Sequence, residues 1–212
     1  MSDRLLDIYH TLLAAFGPQH WWPGDTPLEV LVGAVLAQNT AWSNVSRAIA
    51  NLKEANLLSL EALAALPVEE LAGHIRPSGY FNQKALRLKN LVHHIDSLHQ
   101  GDLEQFFDLK TGALREELLS LKGIGPETAD SIVLYAAGKP LFVVDTYTHR
   151  ILSRHNLIGE EAYYHEIQEL FMHSLPEEVE LYNEYHALLV RLGKEYCKKS
   201  KPRCDDCPIR DF

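Results

Sequence analysis

The sequence predicts an all-α protein, and three observations lead to this class. Apolar residues recur at intervals of three and four along most of the chain, which is the period of a helix face. Glycine and proline turn signals separate these segments from one another. Only Leu141–Val144 has the apolar, β-branched character of a strand, and four residues cannot form a sheet. With 46% hydrophobic and 23% charged residues, the composition is that of an ordinary globular protein.

Ten helices are expected, and the first half of the chain supplies five of them. Their apolar residues repeat with the helical period over residues 4–16, 27–37, 43–53, 59–65 and 84–98. Helices stop at residues that cannot continue the backbone hydrogen bonding. Such signals are Gly17-Pro18, Pro23-Gly24 and Pro77-Ser78-Gly79.

The second half of the chain supplies the other five expected helices. They cover residues 113–121, 127–137, 145–155, 161–173 and 181–196. The turn signals around them are Gly101-Asp102, Gly123-Ile124-Gly125, Gly138-Lys139-Pro140 and Ser174–Pro176. Pro126 suits the first turn of its helix, where the missing N–H costs nothing.

The net charge of −9 argues against a general affinity for polyanions, but a local patch is basic. Residues 191–212 hold seven basic side chains against four acidic ones, and a second basic segment, Lys84–Lys89, adds Lys84, Arg87 and Lys89. The first residues lack the basic region, apolar run and cleavage site of a signal peptide. No apolar stretch approaches the roughly 18 residues of a membrane span. We therefore expect a bacterial-type cytoplasmic, nucleoid-associated location, no membrane partner and a monomer.

The segment Gly123-Ile124-Gly125 connects two helical runs and is the first candidate for function. Glycine permits positive φ and close approach of the backbone to another surface. The amides at the start of the next helix then point outward, as a phosphate site requires. A tight helix–helix connector would need the same glycines, so this pattern by itself leaves both interpretations open.

Asp145 follows the hairpin after Val143-Val144 and is the second candidate. An aspartate at this position can cap the helix that begins at Thr146. Such a cap is a structural role. The hairpin precedes Asp145 at a separation found in one large family, and the catalytic role is what that resemblance implies.

Four motifs in this order resemble the helix–hairpin–helix, Gly/Pro…Asp superfamily of base-excision repair glycosylases, whose members include endonuclease III. The resemblance covers nearly the whole chain. The motifs are Leu36-Ala37-Gln38-Asn39-Thr40, Gly79-Tyr80-Phe81-Asn82-Gln83-Lys84-Ala85, the hairpin with Val144-Asp145-Thr146, and a C-terminal cysteine loop. The resemblance implies a helical barrel domain over residues 27–137 that ends with the hairpin. Residues 1–26 and 138–212 would form a second helical domain, with DNA in the groove between the two.

The resemblance implies roles for individual residues. Asp145 would stabilise the sugar cation that forms as the base departs, and orient or deprotonate the attacking water. Gln38 and Asn39 would fill the gap left by a flipped nucleotide, although Asn39 and Thr40 can equally be a helix end that makes local side-chain bonds. Asn82 and Lys84 would contact phosphates, unless they only start a helix with Asn82 as its cap. Further backbone contacts would come from Gly123, Gly125, Thr128 and Lys198.

Glu127 departs from the pattern of the bifunctional members. These enzymes place a lysine eighteen residues before the aspartate, and that position here is Glu127. A carboxylate cannot form a Schiff base with the sugar, so we expect a monofunctional enzyme. Glu127 is otherwise a first-turn acid that the helix dipole favours.

Four motifs together look like the 3-methyladenine glycosylases of the endonuclease III type: Trp-Trp-Pro at 21–23, Gln-Asn-Thr at 38–40, Arg-Pro-Ser-Gly-Tyr-x-Asn-Gln-Lys-Ala at 76–85 and Gly-Ile-Gly-x-Glu-x-Ala-Asp at 123–130. Bases methylated at N3 or N7 are cationic, and an electron-rich aromatic pocket attracts them. The candidate pocket residues are Trp21, Trp22, Pro23, Trp42, Glu127 and Lys194. Each tryptophan can also be core packing. Lys194 can contact phosphate, be an exposed helix lysine, or carry a modification if it is buried and neutral.

Cys197, Cys204 and Cys207 have the spacing C-x6-C-x2-C. The resembled family continues with C-x5-C, which places a fourth cysteine at position 213. Either the sequence stops before its last ligand or the site has three cysteines. The resemblance implies a [4Fe–4S] cluster that fixes a basic loop. Zinc with an added donor is the alternative.

The leading hypothesis is thus a glycosylase that acts on damaged bases in double-stranded DNA, such as 3-methyladenine or 7-methylguanine. An endonuclease III-like enzyme for oxidised pyrimidines, with strand cleavage, is one alternative. A non-catalytic helix–hairpin–helix DNA-binding module is another.

Overall fold

A computed structural model describes residues 2–212, with side chains from Arg4 onward. Its secondary structure is entirely helical, and these residues contain no strand. No helix among them is long and apolar enough to cross a membrane. The all-α prediction is confirmed.

Twelve α-helices form among the described residues. They are α1 (Ser2–Phe16), α2 (Pro27–Leu36), α3 (Trp42–Glu54), α4 (Leu60–Ala65), α5 (Val68–His74), α6 (Phe81–His99), α7 (Leu103–Asp108), α8 (Thr111–Ser120), α9 (Pro126–Ser131), α10 (Thr146–Arg154), α11 (Tyr164–Ser174) and α12 (Val179–Glu195). A 3₁₀ turn spans Arg76–Ser78, and a π-helical segment, Ile132–Ala136, continues α9.

Two of these helices, α5 and α7, were not among the ten expected. Each has fewer than eight residues, so it shows the helical period over barely two turns. Their starts nevertheless carry local signals. Pro67 precedes α5, and the Asp102 carboxylate accepts hydrogen bonds from the Glu104 and Gln105 amides at the start of α7.

The chain divides into two compact units. One consists of Met1–Trp22 and Pro140–Phe212, and the other of Pro23–Lys139. We call them the aspartate unit and the hairpin unit, after Asp145 and the Gly123–Gly125 turn. The units divide after residues 22 and 139, whereas the expected domains, 1–26 with 138–212 and 27–137, divide after residues 26 and 137.

The core of the hairpin unit surrounds α2, which is buried on nearly all sides. Val30–Leu36 have little or no exposed surface. Helix α2 packs against α3, α6 and the π-helical segment, while α6 packs against α4, α5 and α7. The central position of α2 explains its continuous apolar sequence, since a helix covered all round needs no polar face.

The core of the aspartate unit is aromatic. The rings of Phe142 and Phe171 stack with centroids 3.9 Å apart, and Tyr182 and Tyr185 meet Phe142 edge-on. The strand-like residues 141–144 form an extended, buried connection instead of a strand. Side chains bond two of their backbone groups: Gln168 donates to the Phe142 carbonyl, and the Val144 amide donates to the Tyr164 hydroxyl.

Candidate active site

Asp145 lies where the buried connection 141–144 ends and α10 begins. Its Oδ1 accepts hydrogen bonds from the Thr148 amide at 2.7 Å and the Thr148 hydroxyl at 2.9 Å. The expected helix cap is therefore present. Only one carboxylate oxygen makes this cap, which leaves Oδ2 for another role.

Oδ2 of Asp145 faces a histidine that the sequence analysis did not single out. His186, on α12, has its Nε2 3.7 Å from this oxygen, and both side chains are more than 90% buried. Burial alone would raise the pKa of Asp145, but His186 and the two Thr148 bonds outweigh it and hold that pKa below its usual range. The site thus keeps a carboxylate ionised in an interior position.

Close packing of α10 against α12 brings these two residues together. Any Cβ at Gly193 would collide with the ring of Tyr147, so this contact between the helices requires glycine. Arg150 then ties the end of α12 by donating to the carbonyls of Gly193 and Cys197. Gly193, which directly precedes Lys194, thus has a packing role.

Three of the predicted pocket residues meet in the aspartate unit. The indoles of Trp21 and Trp22 have centroids 5.3 Å apart, and Lys194 Nζ lies 6.0 Å from the Trp21 ring centroid. Lys194 is exposed, which removes the premise for modification of a buried, neutral lysine. The other predicted pocket residues, Pro23, Trp42 and Glu127, belong to the hairpin unit.

The hairpin has one left-handed glycine and one extended glycine. Gly123 has φ +94°, whereas Gly125 has φ −96° and is the N-cap of α9, with Pro126 in the first turn as expected. A Cβ at Gly123 would overlap the Arg87 side chain, while one at Gly125 would meet open space. Glu127 is exposed in the first turn of α9. The surface beside Gly125 is therefore open to an approaching ligand.

Gln38 is bound to the hairpin in this conformation. Its amide donates to the Gly123 carbonyl at 3.1 Å and to the Thr128 hydroxyl at 2.9 Å, and its oxygen accepts from Arg87. Thr128 is 7% exposed. Gln38 must release these bonds before it can enter a gap in DNA, as the resemblance implies. Arg87, which sequence reasoning placed only in a basic segment, is the charged group of this network.

Asn39 and Thr40 lie at the end of α2. Asn39 is exposed with φ +53°, and Thr40 makes local bonds to Ala37 and Asn44. This geometry matches the local helix-end interpretation for Thr40. It leaves the Asn39 side chain accessible to a ligand.

Lys84 does not lie where a phosphate contact requires it. Its side chain is 1% exposed, and Nζ donates to the carbonyls of Leu36 at 2.9 Å and Ser78 at 2.7 Å. Burial, with the nearby charge of Arg87, lowers its pKa to about 8. Lys89 is used similarly, donating to three carbonyls at the end of α4. The expected basic segment therefore mostly serves internal capping.

Asn82 is not a helix cap, because the N-cap of α6 is Tyr80. Asn82 lies inside the first turn and is exposed. Tyr80 has φ +46°, a conformation that costs a residue with a Cβ, and its side chain is 70% exposed. An exposed aromatic ring on a strained backbone is a ligand-contact feature that the sequence analysis missed, although Tyr80 stood within a quoted motif.

The three cysteines line one cavity of about 220 Å³ in the aspartate unit. Arg154, on α10, donates to Cys197 Sγ at 3.3 Å and to the carbonyls of Lys198 and Lys199. Thiolates are the ligands that iron–sulfur clusters use, and an N–H directed at sulfur stabilises its negative charge. Three thiols lining one cavity fit such a cluster, which would need a fourth ligand. Lys198 is exposed beside it.

Comparison with known proteins assigns this architecture. Residues 32–177 match the family model of the HhH-GPD superfamily base excision DNA repair proteins. A relative from Methanocaldococcus jannaschii, provisionally named as a DNA repair glycosylase, is 48% identical over 212 residues, which are 99% of this chain and 96% of the relative.

Solved structures agree with this match. The Helicobacter pylori 3-methyladenine DNA glycosylase, bound to 1,N6-ethenoadenine, is 33% identical, with a TM-score of 0.76 over 92% of this chain and 97% of that one. An endonuclease III–DNA covalent intermediate shares the fold, with a TM-score of 0.83 at 24% identity over 98% of this chain and 93% of that one. The chain belongs to the HhH-GPD superfamily of base excision DNA repair proteins, as an endonuclease III-like DNA glycosylase.

Proposed function

We propose that this glycosylase is monofunctional and releases cationic alkylated purines, such as 3-methyladenine and 7-methylguanine, from double-stranded DNA. The observation that carries the proposal is the buried Asp145 carboxylate, with its lowered pKa, in a chain that has Glu127 at the lyase position. The base must leave the helical stack to reach such a group.

Asp145 supplies the chemistry of hydrolysis. As the N-glycosidic bond breaks, its electron pair leaves with the base and positive charge develops on the sugar. An ionised carboxylate in a dry site stabilises that charge. Water then adds to the sugar carbon and gives up a proton, for which the carboxylate is an acceptor. Oδ2 is the oxygen for this role, because Oδ1 caps α10.

Base release ends the reaction in this proposal, and the product is an abasic site. Strand cleavage by the lyase route needs an amine that forms a Schiff base with the sugar. Glu127 offers none. Lys122 is an exposed amine, but it precedes the hairpin turn, whereas the lyase position, Glu127, follows it.

The preference for cationic bases rests on the aromatic cluster of the aspartate unit. The Lys194 ammonium lies 6.0 Å from the Trp21 ring, so this indole already attracts a positive charge within the protein. A methylated purine would take the place of that ammonium. A relative with 33% identity is a 3-methyladenine glycosylase, which agrees with this preference.

The hairpin unit would hold the DNA backbone. The open surface at Gly125 leaves room for a phosphate at the start of α9. Tyr80 offers an exposed ring for stacking on a base, and Gln38 and Asn39 lie at the end of the central helix α2. Lys198 and Lys199 of the cysteine loop would add basic contacts from the aspartate unit.

Cys197, Cys204 and Cys207 would hold a [4Fe–4S] cluster together with a fourth ligand. The cluster would be structural, fixing the loop that Arg154 already anchors to α10. Electronic absorption distinguishes it from zinc, because iron–sulfur clusters give a broad visible band near 400 nm. Anaerobically purified protein with iron and that band supports the cluster, whereas colourless protein with stoichiometric zinc supports the alternative.

A panel of lesion-bearing duplexes tests the function. We expect release of 3-methyladenine or 7-methylguanine, intact strands without alkali, and no covalent adduct on borohydride reduction. Release of oxidised pyrimidines with a trapped adduct would instead support the endonuclease III-like alternative. Binding to an abasic analogue with no base release from any substrate would support a non-catalytic module.

A further inference from the structure

Three side chains with metal-binding atoms meet in the hairpin unit. His94 and His99 lie on the last part of α6, and Glu117 lies on α8. His94 Nε2 is 3.0 Å and His99 Nε2 is 2.8 Å from the same oxygen, Glu117 Oε2. All three ligand atoms lie within 4.8 Å of one another. Neither the glycosylase chemistry nor the proposed DNA contacts use these residues.

The two imidazoles are held in place by packing. Their side chains are 15% and 9% exposed, and Glu117 is 30% exposed. Phe106 of α7 packs against both rings, with centroids 6.2 Å from His94 and 5.0 Å from His99. The histidines therefore present their Nε2 atoms toward Glu117 from fixed positions, and the carboxylate side of the cluster remains accessible to solvent.

The distances suit both a hydrogen-bonded cluster and a single metal ion. Tetrahedral zinc binds nitrogen and oxygen ligands at about 2.0–2.1 Å, which places neighbouring ligand atoms roughly 3.3 Å apart. The separations of 2.8 and 3.0 Å to Glu117 need to open by about 0.3–0.5 Å to admit such an ion, and the two Nε2 atoms, which lie within 4.8 Å of each other, need to reach the same spacing. Two imidazoles with one carboxylate select zinc and similar transition metals over magnesium or calcium, which prefer oxygen ligands.

We propose that His94, His99 and Glu117 form a binding site for a zinc-class divalent ion, with water completing the coordination. The ion would replace the two hydrogen bonds to Glu117, and each histidine would bind through an unprotonated Nε2. It would link the C-terminal end of α6 to α8. Since α8 leads directly into Leu121–Pro126, the site would stabilise the first arm of the hairpin.

Zinc binding to the 212-residue chain tests the proposal, with the three cysteines, which can also bind zinc, retained in every variant. Zinc content after equilibrium dialysis and the melting temperature with added zinc would be measured for the wild type, Glu117→Gln and the double variant His94→Gln with His99→Gln. His93→Gln is the matched control, because His93 is exposed on the same helix, next to His94. All four proteins keep Cys197, Cys204 and Cys207, so thiol-bound zinc is common to every measurement.

We expect the wild type and His93→Gln to bind one more zinc than the double variant, and zinc to raise the melting temperature of those two proteins by more than that of the double variant, whose shift comes from the thiols alone. Glu117→Gln should weaken this extra site by at least about 10-fold, since it loses the anionic ligand. Magnesium should change neither readout. Equal zinc content and equal melting shifts in all four proteins would overturn the proposal. Circular dichroism of the metal-free variants separates a lost site from a lost fold.

Discussion

Asp145 and His186 form a buried pair in which histidine Nε2 lies 3.7 Å from carboxylate Oδ2. The carboxylate comes from the start of α10 and the histidine from the middle of α12, forty-one residues later in the chain. Because Oδ1 is engaged with Thr148, the histidine faces the oxygen that remains for chemistry. This pairing explains how the carboxylate stays ionised despite its burial.

Replacing His186 should move the acidic limb of the pH–rate profile. In His186→Gln the pKa of Asp145 should rise, because a favourable partner of the charged form is lost. Base release should then be lost at a higher pH than in the wild type. Single-turnover rates between pH 4 and 8 measure this, with the exposed His173→Gln as control. An unmoved acidic limb would show that His186 does not hold the charge of Asp145.

Removing the Lys84 ammonium should cost stability and leave the salt dependence of DNA binding unchanged. In Lys84→Met the buried carbonyls of Leu36 and Ser78 lose their donor, at a cost of about 1–3 kcal/mol. A phosphate contact would instead reduce the slope of log affinity against log salt. The exposed Lys110→Met is the matched control.

The lowered pKa of Lys84 predicts how the free energy of unfolding varies with pH. The pKa of Lys84 is about 8 in the fold and near 10.5 when unfolded, so the unfolded chain binds more protons between these values. The free energy of unfolding should therefore gain a contribution as pH rises through that window, and Lys84→Met should lack it. Urea unfolding at pH 7, 8.5 and 10 makes the comparison.

Gly123→Ala should weaken both the fold and DNA binding. Alanine at φ +94° is strained by about 1–2 kcal/mol, and its Cβ displaces the Arg87 side chain that holds Gln38. Gly112→Ala on α8 is the control, because it meets open space with no positive φ, and helix propensity predicts a neutral or stabilising effect. If both variants bind DNA equally well, the hairpin turn is not a DNA contact.

Trp21→Leu should reduce release of charged bases more than release of neutral ones. A lost cation–π contact of about 0.5–2 kcal/mol corresponds to roughly 2- to 30-fold in 3-methyladenine release. Release of neutral hypoxanthine, where it occurs, should change less. Tyr163→Leu, an exposed aromatic residue of the same unit, serves as control. Equal losses for both bases would leave Trp21 with a packing role.

The sequence predicted most of this fold because its longer helices each show several turns of apolar periodicity. It missed α5 and α7, which are too short to do so. Residues 141–144 have strand character but form no strand, as expected for so short a segment, and they are buried. Two of their backbone groups bond Gln168 and Tyr164, distant residues that no local pattern identifies.

For the site residues, too, local motifs were visible in the sequence, whereas contacts that depend on tertiary packing were not. Asp145 and the hairpin were identified from local motifs. His186 was missed because its partnership with Asp145 depends on the packing of α10 against α12. Lys84 was expected to contact phosphate, since a motif gives the residue type but not the burial of its side chain. The His94, His99 and Glu117 cluster joins two helices and has no signature along the chain.

The role of Asp145 is the central claim, and single-turnover release of 3-methyladenine by Asp145→Asn tests it most directly. Asparagine retains the helix cap, so the fold should persist while the charge is lost. We predict a rate lower by about 10²–10³-fold, with unchanged binding to an abasic duplex. A rate within a few-fold of the wild type would contradict the catalytic assignment.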